Sequence, residues 1–188
     1  MSGDHEIMSE TIDFPNMRDS THGEGLRDFI KELPENIVMA EIGCYLGDST
    51  LIFLETGKIS KMFCVDPWEN GYDDKDTSSF TIPMEIVHDR FLEQTIKYQD
   101  QITIMRMKSE DACHQFENES LDMVYIDGNH IEEYVEKDVL AWYPKIKQDG
   151  IIAGHDFYEG NIIGKTILKI FDKIDKTFID SSWMKIKK

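Results

Sequence analysis

The stretch Glu41-Ile-Gly-Cys-Tyr-Leu-Gly-Asp-Ser-Thr50 lies between an apolar run, Ile37 to Ala40, and a helix-like run, Leu51 to Glu55. Gly43 and Gly47 allow a sharp turn and a close approach to the backbone, because neither has a Cβ. An apolar strand that passes through such a turn directly into a helix is the opening unit of an α/β fold. Downstream the alternation continues through KMFCVDPW, MEIVHDRFLEQTIKY, QITIMRM, LDMVYIDG, EYVEKDVLAWYPKIK, GIIAGHDF and IGKTILKIFDKI, with TFID and SWMKIKK as closing strands. This pattern predicts a mostly parallel sheet with helices on both faces. Upstream, Leu26, Phe29, Ile30 and Leu33 fall at helical spacing between His22 and Glu32, and Pro34 ends that helix.

Residues 1–21 mix acids, Ser and Thr without periodicity and read as an N-terminal arm; residues 22–188 suit a single domain with one core. Lys plus Arg number 20 and Asp plus Glu 37, a formal charge of −17. A surface so negative repels phosphate backbones and anionic lipid, so neither nucleic acid nor membrane is an expected partner. Without a long apolar run or a basic, then apolar, leader, the expected location is the cytoplasm. Cys44, Cys64 and Cys113 form no CxxC pair and read as reduced structural thiols. The polar, acidic stretch from Trp68 to Pro83 interrupts the rhythm after a strand and reads as a long loop. Together with the N-terminal arm, it is the expected wall of a ligand site.

In open α/β sheets ligands bind outside the carboxyl ends of the strands, which gathers residues distant in sequence. Four ends carry chemistry here. The first is the Gly43 to Ser49 turn. Asp66 follows Gly47 by 19 positions, where a carboxylate can accept from both hydroxyls of a ribose. Ser109, Glu110 and Asp111 follow the third strand and suit an adenine edge, and Asp127 closes LDMVYID. The turn lacks the GxGxxG spacing that cradles a pyrophosphate, which favours an adenosine cofactor without phosphates.

EIGxxxGxST, VDPW, DMVYIDGxH and GIIAGHD, in this order, resemble the class I S-adenosylmethionine-dependent O-methyltransferases. IDGNH, WYPKIKQDG and GHDF narrow the resemblance to the macrocin O-methyltransferase and cephalosporin hydroxylase-like family, over roughly residues 36–158. The resemblance implies a Rossmann-like, seven-stranded fold with S-adenosylmethionine as cofactor. It places Glu41, Gly43, Tyr45, Gly47 and Ser49 at the methionine part, Asp66 at the ribose, Ser109 and Glu110 at the adenine, and Asp127 at the cofactor's amino group. It also suggests self-association as a homo-oligomer.

Methyl transfer to oxygen asks for alignment and for removal of a hydroxyl proton. Asp127, His130, His155 and Asp156 follow neighbouring strands and can converge. His130, an imidazole titrating near neutrality, is the candidate general base, with Asp127 beside it. By resemblance to metal-dependent catechol-type relatives, Asp127, His155 and Asp156 are the candidate ligands of magnesium, with His155 softening the site toward other divalent ions. A plainer reading has His155 only orienting Asp156. The expected activity is O-methylation of a hydroxylated small molecule or glycan, divalent-metal-assisted. One alternative is a non-catalytic S-adenosylmethionine-binding or scaffold protein. A remoter one is a non-haem iron oxygenase built on His130, His155 and Asp156, which leaves the glycine turn and Asp66 without a purpose.

Overall fold

The computed structural model describes residue 14, residues 18–75 and residues 77–188, so most of the arm at residues 1–21 lies outside the described residues. Seven strands form one sheet in the order β3-β2-β1-β4-β5-β7-β6. They are β1 (Ile37–Ile42), β2 (Ile59–Val65), β3 (Ile102–Met105), β4 (Leu121–Ile126), β5 (Ile146–Gly154), β6 (Lys176–Thr177) and β7 (Trp183–Ile186). The first five pair in parallel, and β7 runs antiparallel between β5 and β6.

Both faces of the sheet are covered, which is why the strands read as nearly continuous apolar runs. Met39, Met62, Met123 and Tyr125 face one core with Phe29 of α1 (Thr21–Lys31), Phe53 of α2 (Asp48–Glu55) and Phe91 of α4 (Met84–Thr95). Ala40, Val65, Val124 and Ile152 face the other, with Ala112 of α5 (Ser109–Ala112), Trp142 of α6 (Glu132–Trp142) and Ile167 of α7 (Ile162–Phe171). Neighbours such as Met39 and Ala40 enter opposite cores because successive side chains on a strand alternate in direction. Trp183 is buried in the second core, and all three cysteines are free and buried.

Register aligns the strand ends. Ile42 pairs with Val65 and with Ile126, Val65 with Met105, and Ile126 with Gly154. The ladder runs one residue further: the amides of Gly43, Asp127 and His155 donate to Val65, Ile42 and Ile126 at 2.8, 2.8 and 3.1 Å. Gly43, Asp66, Asp127 and His155 therefore stand in a row. The strand order reverses between β1 and β4, the position where open α/β sheets leave a crevice.

Three boundaries differ from the sequence reading. β5 begins at Ile146, because a short 3-10 turn, Tyr143–Lys145, ends the helix before the expected point. TFID contributes only Thr177 to β6, since Phe178 accepts the Ser181 amide and closes a turn there. The 68–83 stretch contains a helical turn, α3 (Ser78–Thr81), and starts on a buried residue, Trp68, 3% exposed. No helix among the described residues is long and apolar enough to cross a membrane.

Candidate active site

A cavity of about 500 Å³ opens over the carboxyl ends of β1, β2, β4 and β5. Its floor is the glycine turn. Gly43 has φ +85°, and a Cβ there would lie 2.0 Å from the Asp127 carbonyl oxygen, so no other residue fits. Gly47, φ +91°, precedes α2, and a Cβ would come within 2.9 Å of the Phe91 ring. Glu41 lies beneath the turn, fully buried; it accepts from Ser49 Oγ at 2.5 Å and from Thr50 Oγ1. Burial raises its carboxyl to about 7 against the opposing pull of those two hydroxyls. Glu41 thus braces the turn from below, while Gly43, Tyr45 and Ser49 line the cavity.

Asp66 lines the cavity but is already engaged. Oδ2 accepts the Cys44 and Tyr45 amides at 2.9 Å each, and Oδ1 accepts the Trp68 amide at 2.7 Å. Three of a carboxylate's roughly four acceptor positions are taken, which leaves room for one ribose hydroxyl rather than the expected two. Burial pushes its pKa up more than the three amides lower it. Trp68 Nε1 donates to the Tyr45 carbonyl at 2.9 Å, and its ring packs on His88 and Phe91. The root of the long loop is therefore pinned to the glycine turn.

From that root the loop crosses the cavity as a strap, with Tyr72 and Asp73 in the wall. Asn129 Nδ2 donates to the Tyr72 carbonyl at 2.7 Å. Asp73 Oδ2 meets His130 Nδ1 at 2.6 Å and accepts the His130 amide at 3.0 Å. The other ring nitrogen of His130, Nε2, meets Asp156 Oδ2 at 3.0 Å. The hydrogen bond to Asp156, with that to Asp73, outweighs burial and raises His130 to about 10. So held, the ring keeps its proton while both nitrogens face carboxylates, and the general-base role expected of His130 requires one of these two contacts to open.

His155 lies beside Asp127 and Asp156, the two carboxylates expected with it. It is buried, with Nδ1 at 3.2 Å from Asp156 Oδ1 and 3.8 Å from Asp127 Oδ1, while Nε2 meets Ser181 Oγ at 3.3 Å. Burial favours the neutral ring, but Asp156 and the charge of Asp127 win and raise it to about 9. Burial pushes the Asp156 carboxyl up, yet the two imidazoles hold it well below the usual carboxylate range. Asp156 sits at φ +58°, and its carbonyl accepts from Asn161, the N-cap of α7, at 2.8 Å. Among the described residues, donor atoms of Asp127, His130 and Asp156 all lie within 4.8 Å of one another in the cavity wall, as do those of Glu41, Cys44 and Cys64, which are buried.

At the third strand end Ser109 lines the cavity, whereas Glu110 is exposed on the outer side of α5. Asp73 belongs to the wall, as expected of the 68–83 stretch, together with Asn129 and Asp138, to which the sequence assigned no role.

A family model described as a methyltransferase domain matches residues 40–157, from the middle of β1 to just past β5. This chain belongs to that methyltransferase family. A curated relative, the uncharacterized protein y4gI of Sinorhizobium fredii, is 27% identical over 127 residues, which cover 65% of this chain and 13% of that protein. The methyltransferase thus spans a small part of the curated relative's length. Among solved structures, the O-methyltransferase NovP aligns with a TM-score of 0.61 at 12% identity, over 87% of this chain and 78% of its own. A spermidine synthase from Thermotoga maritima aligns with a TM-score of 0.56 at 15% identity, over 89% and 59%. At such identities the likeness shows the fold.

This methyltransferase has the class I fold, and its cofactor is S-adenosylmethionine. The cavity fits that group. Its volume is in the range of small-molecule sites. Gly43 lets the turn close on the Asp127 backbone, and Asp66 keeps one acceptor position. Asp48, Asp66, Asp127 and Asp138, all in the lining, suit a cofactor that carries a sulfonium and an ammonium, and among the described residues no Lys or Arg lines the cavity.

Proposed function

We propose that the chain methylates a hydroxyl oxygen of a small molecule or glycan in the cytoplasm, aided by a divalent cation. The observation that carries this reading is the cluster of Asp127, His130 and Asp156 in the wall of the cavity that holds the glycine turn and Asp66. The fold alone decides nothing about the acceptor, since it is shared with a spermidine synthase.

When bound, S-adenosylmethionine supplies a methyl group already activated on a sulfonium. The chain has to hold the acceptor in line, exclude water and take a proton. Glu69, Tyr72, Asp73 and Ser79 of the strap line the cavity, and Asp127 is the carboxylate set to take the proton of an acceptor hydroxyl. His155 positions Asp127 and Asp156 from behind. Asp127 and Asp156, with Nε2 of His130, would hold a magnesium or manganese ion, which supplies positive charge that lowers the pKa of a hydroxyl. Asp73 on Nδ1 is then the outer partner that orients a metal-bound imidazole.

Calorimetry with S-adenosylhomocysteine, followed by radiolabelled methyl transfer to a panel of sugars and phenols with and without magnesium, tests the reading. Binding, label on oxygen and loss of turnover with a chelator are expected. Label only on amines would sink the oxygen assignment, and turnover untouched by chelator would remove the metal.

A further inference from the structure

The carboxylate beside Ser109 is not Glu110, which faces solvent, but Asp138 of α6. Asp138 is 6% exposed and shares the buried stripe of its helix with Val135, Val139 and Trp142. A charge on such a stripe costs stability unless something polar meets it. Ser109 meets part of it: its Oγ accepts Trp142 Nε1 at 2.8 Å, which leaves the hydroxyl proton free to turn to Asp138, its hydrogen-bond partner. Asp138 Oδ2 lies 3.7 Å from where a Gly128 Cβ would stand, which puts the carboxylate next to Gly128 in the cavity lining. The carboxyl is pushed up by burial to about 6, which leaves it mostly ionised, and acceptor-only, at neutral pH.

We propose that Asp138, oriented by Ser109, accepts the exocyclic amine of the cofactor's adenine and so sets the preference for adenosyl over inosyl ligands. The proposal rests on the reading of the cavity as an S-adenosylmethionine site. An adenine amine donates to a carboxylate; the oxo group of hypoxanthine presents a second acceptor and is repelled.

The test is calorimetry of the full chain with S-adenosylhomocysteine, its inosyl analogue and its purine analogue bearing hydrogen at the same carbon. The unaltered chain should bind in the order amino, hydrogen, oxo, with amino over oxo by about 10- to 100-fold, the span of a hydrogen bond to a charged group. Asp138→Asn, whose amide can also donate, should bring the amino-to-oxo ratio close to one. An oxo analogue that binds the unaltered chain as well as the amino one overturns the proposal, even if Asp138→Asn fails to fold. A ratio that Asp138→Asn leaves intact, or that Glu110→Gln collapses instead, overturns it while the cofactor reading stands. No binding of any of the three ligands overturns both.

Discussion

The two ends of the cavity are built by different means. At β1 and β2 the shape is set by backbone: two glycines at positive φ, and amides converging on Asp66. At β4 and β5 it is set by charged side chains: Asp73, His130, Asp156, His155 and Asp127 hold one another across three segments of chain. A backbone site tolerates almost no change in residue type but is indifferent to pH. A side-chain site tolerates substitution of its members but depends on their protonation.

The backbone end breaks hardest at Gly43. Gly43→Ala must place a methyl group 2.0 Å from the Asp127 carbonyl oxygen at φ +85°, so the turn and β4 have to separate. A loss of about 3 kcal/mol or more in urea denaturation is expected, together with loss of S-adenosylhomocysteine binding. Parent-like stability would show that the turn is not under this constraint.

Glu41 is the exception that sharpens the comparison, a titratable group under the backbone end. Its carboxyl is raised from 4.5 to about 7, so between those values the folded chain keeps a proton that the unfolded chain has lost. Its contribution is therefore full below about pH 4.5 and falls as pH rises toward 7. Glu41→Gln should remove on the order of 3 kcal/mol of the stability difference between pH 4.5 and pH 8, as read by urea midpoints. An unchanged pH slope would contradict the assignment.

His130 acts in the same direction as Glu41, in a higher pH window. Its folded value, about 10, exceeds the ordinary 6.5, so its stabilising contribution is complete below pH 6.5 and disappears as pH rises through about 10. His130→Gln should lower the urea midpoint at pH 6 and converge with the parent above pH 10. A constant offset would mean packing, not charge, holds the ring. The smallest effect is expected of Asp73→Asn, which loosens one clasp of the strap. Tryptic cleavage after Lys75 should quicken by about two- to five-fold, the scale of a local opening.

This contrast also explains what was legible in the sequence. Gly43, Asp66, Asp127 and His155 could be placed because each directly follows a strand, and parallel register brings strand ends into line. The surroundings of His130 and His155 were not legible because their partners are supplied from afar. Asp73 stands 57 residues before His130, and Ser181 stands 26 residues after His155. No spacing rule connects such pairs. Asp138 did leave a signal, a carboxylate at stripe spacing among Val135, Val139 and Trp142. The strap was read as a loop because its polar residues form no periodic pattern; its order comes from Asn70, which bonds the Ser79 and Ile82 carbonyls and the Met84 amide.

Asp66 carries a thermodynamic consequence of its own. With Cys44, Tyr45 and Trp68 amides on its oxygens, a second ribose hydroxyl can join only if one of them leaves. Recognition of that second hydroxyl is an exchange of partners, and its enthalpy is the difference between two hydrogen bonds rather than the worth of one. Each of the three amides belongs to the glycine turn or to the root of the strap. The ligand that displaces one of them loosens the floor or the hinge of its own enclosure, which sets a limit on how tightly the cavity can hold what it binds.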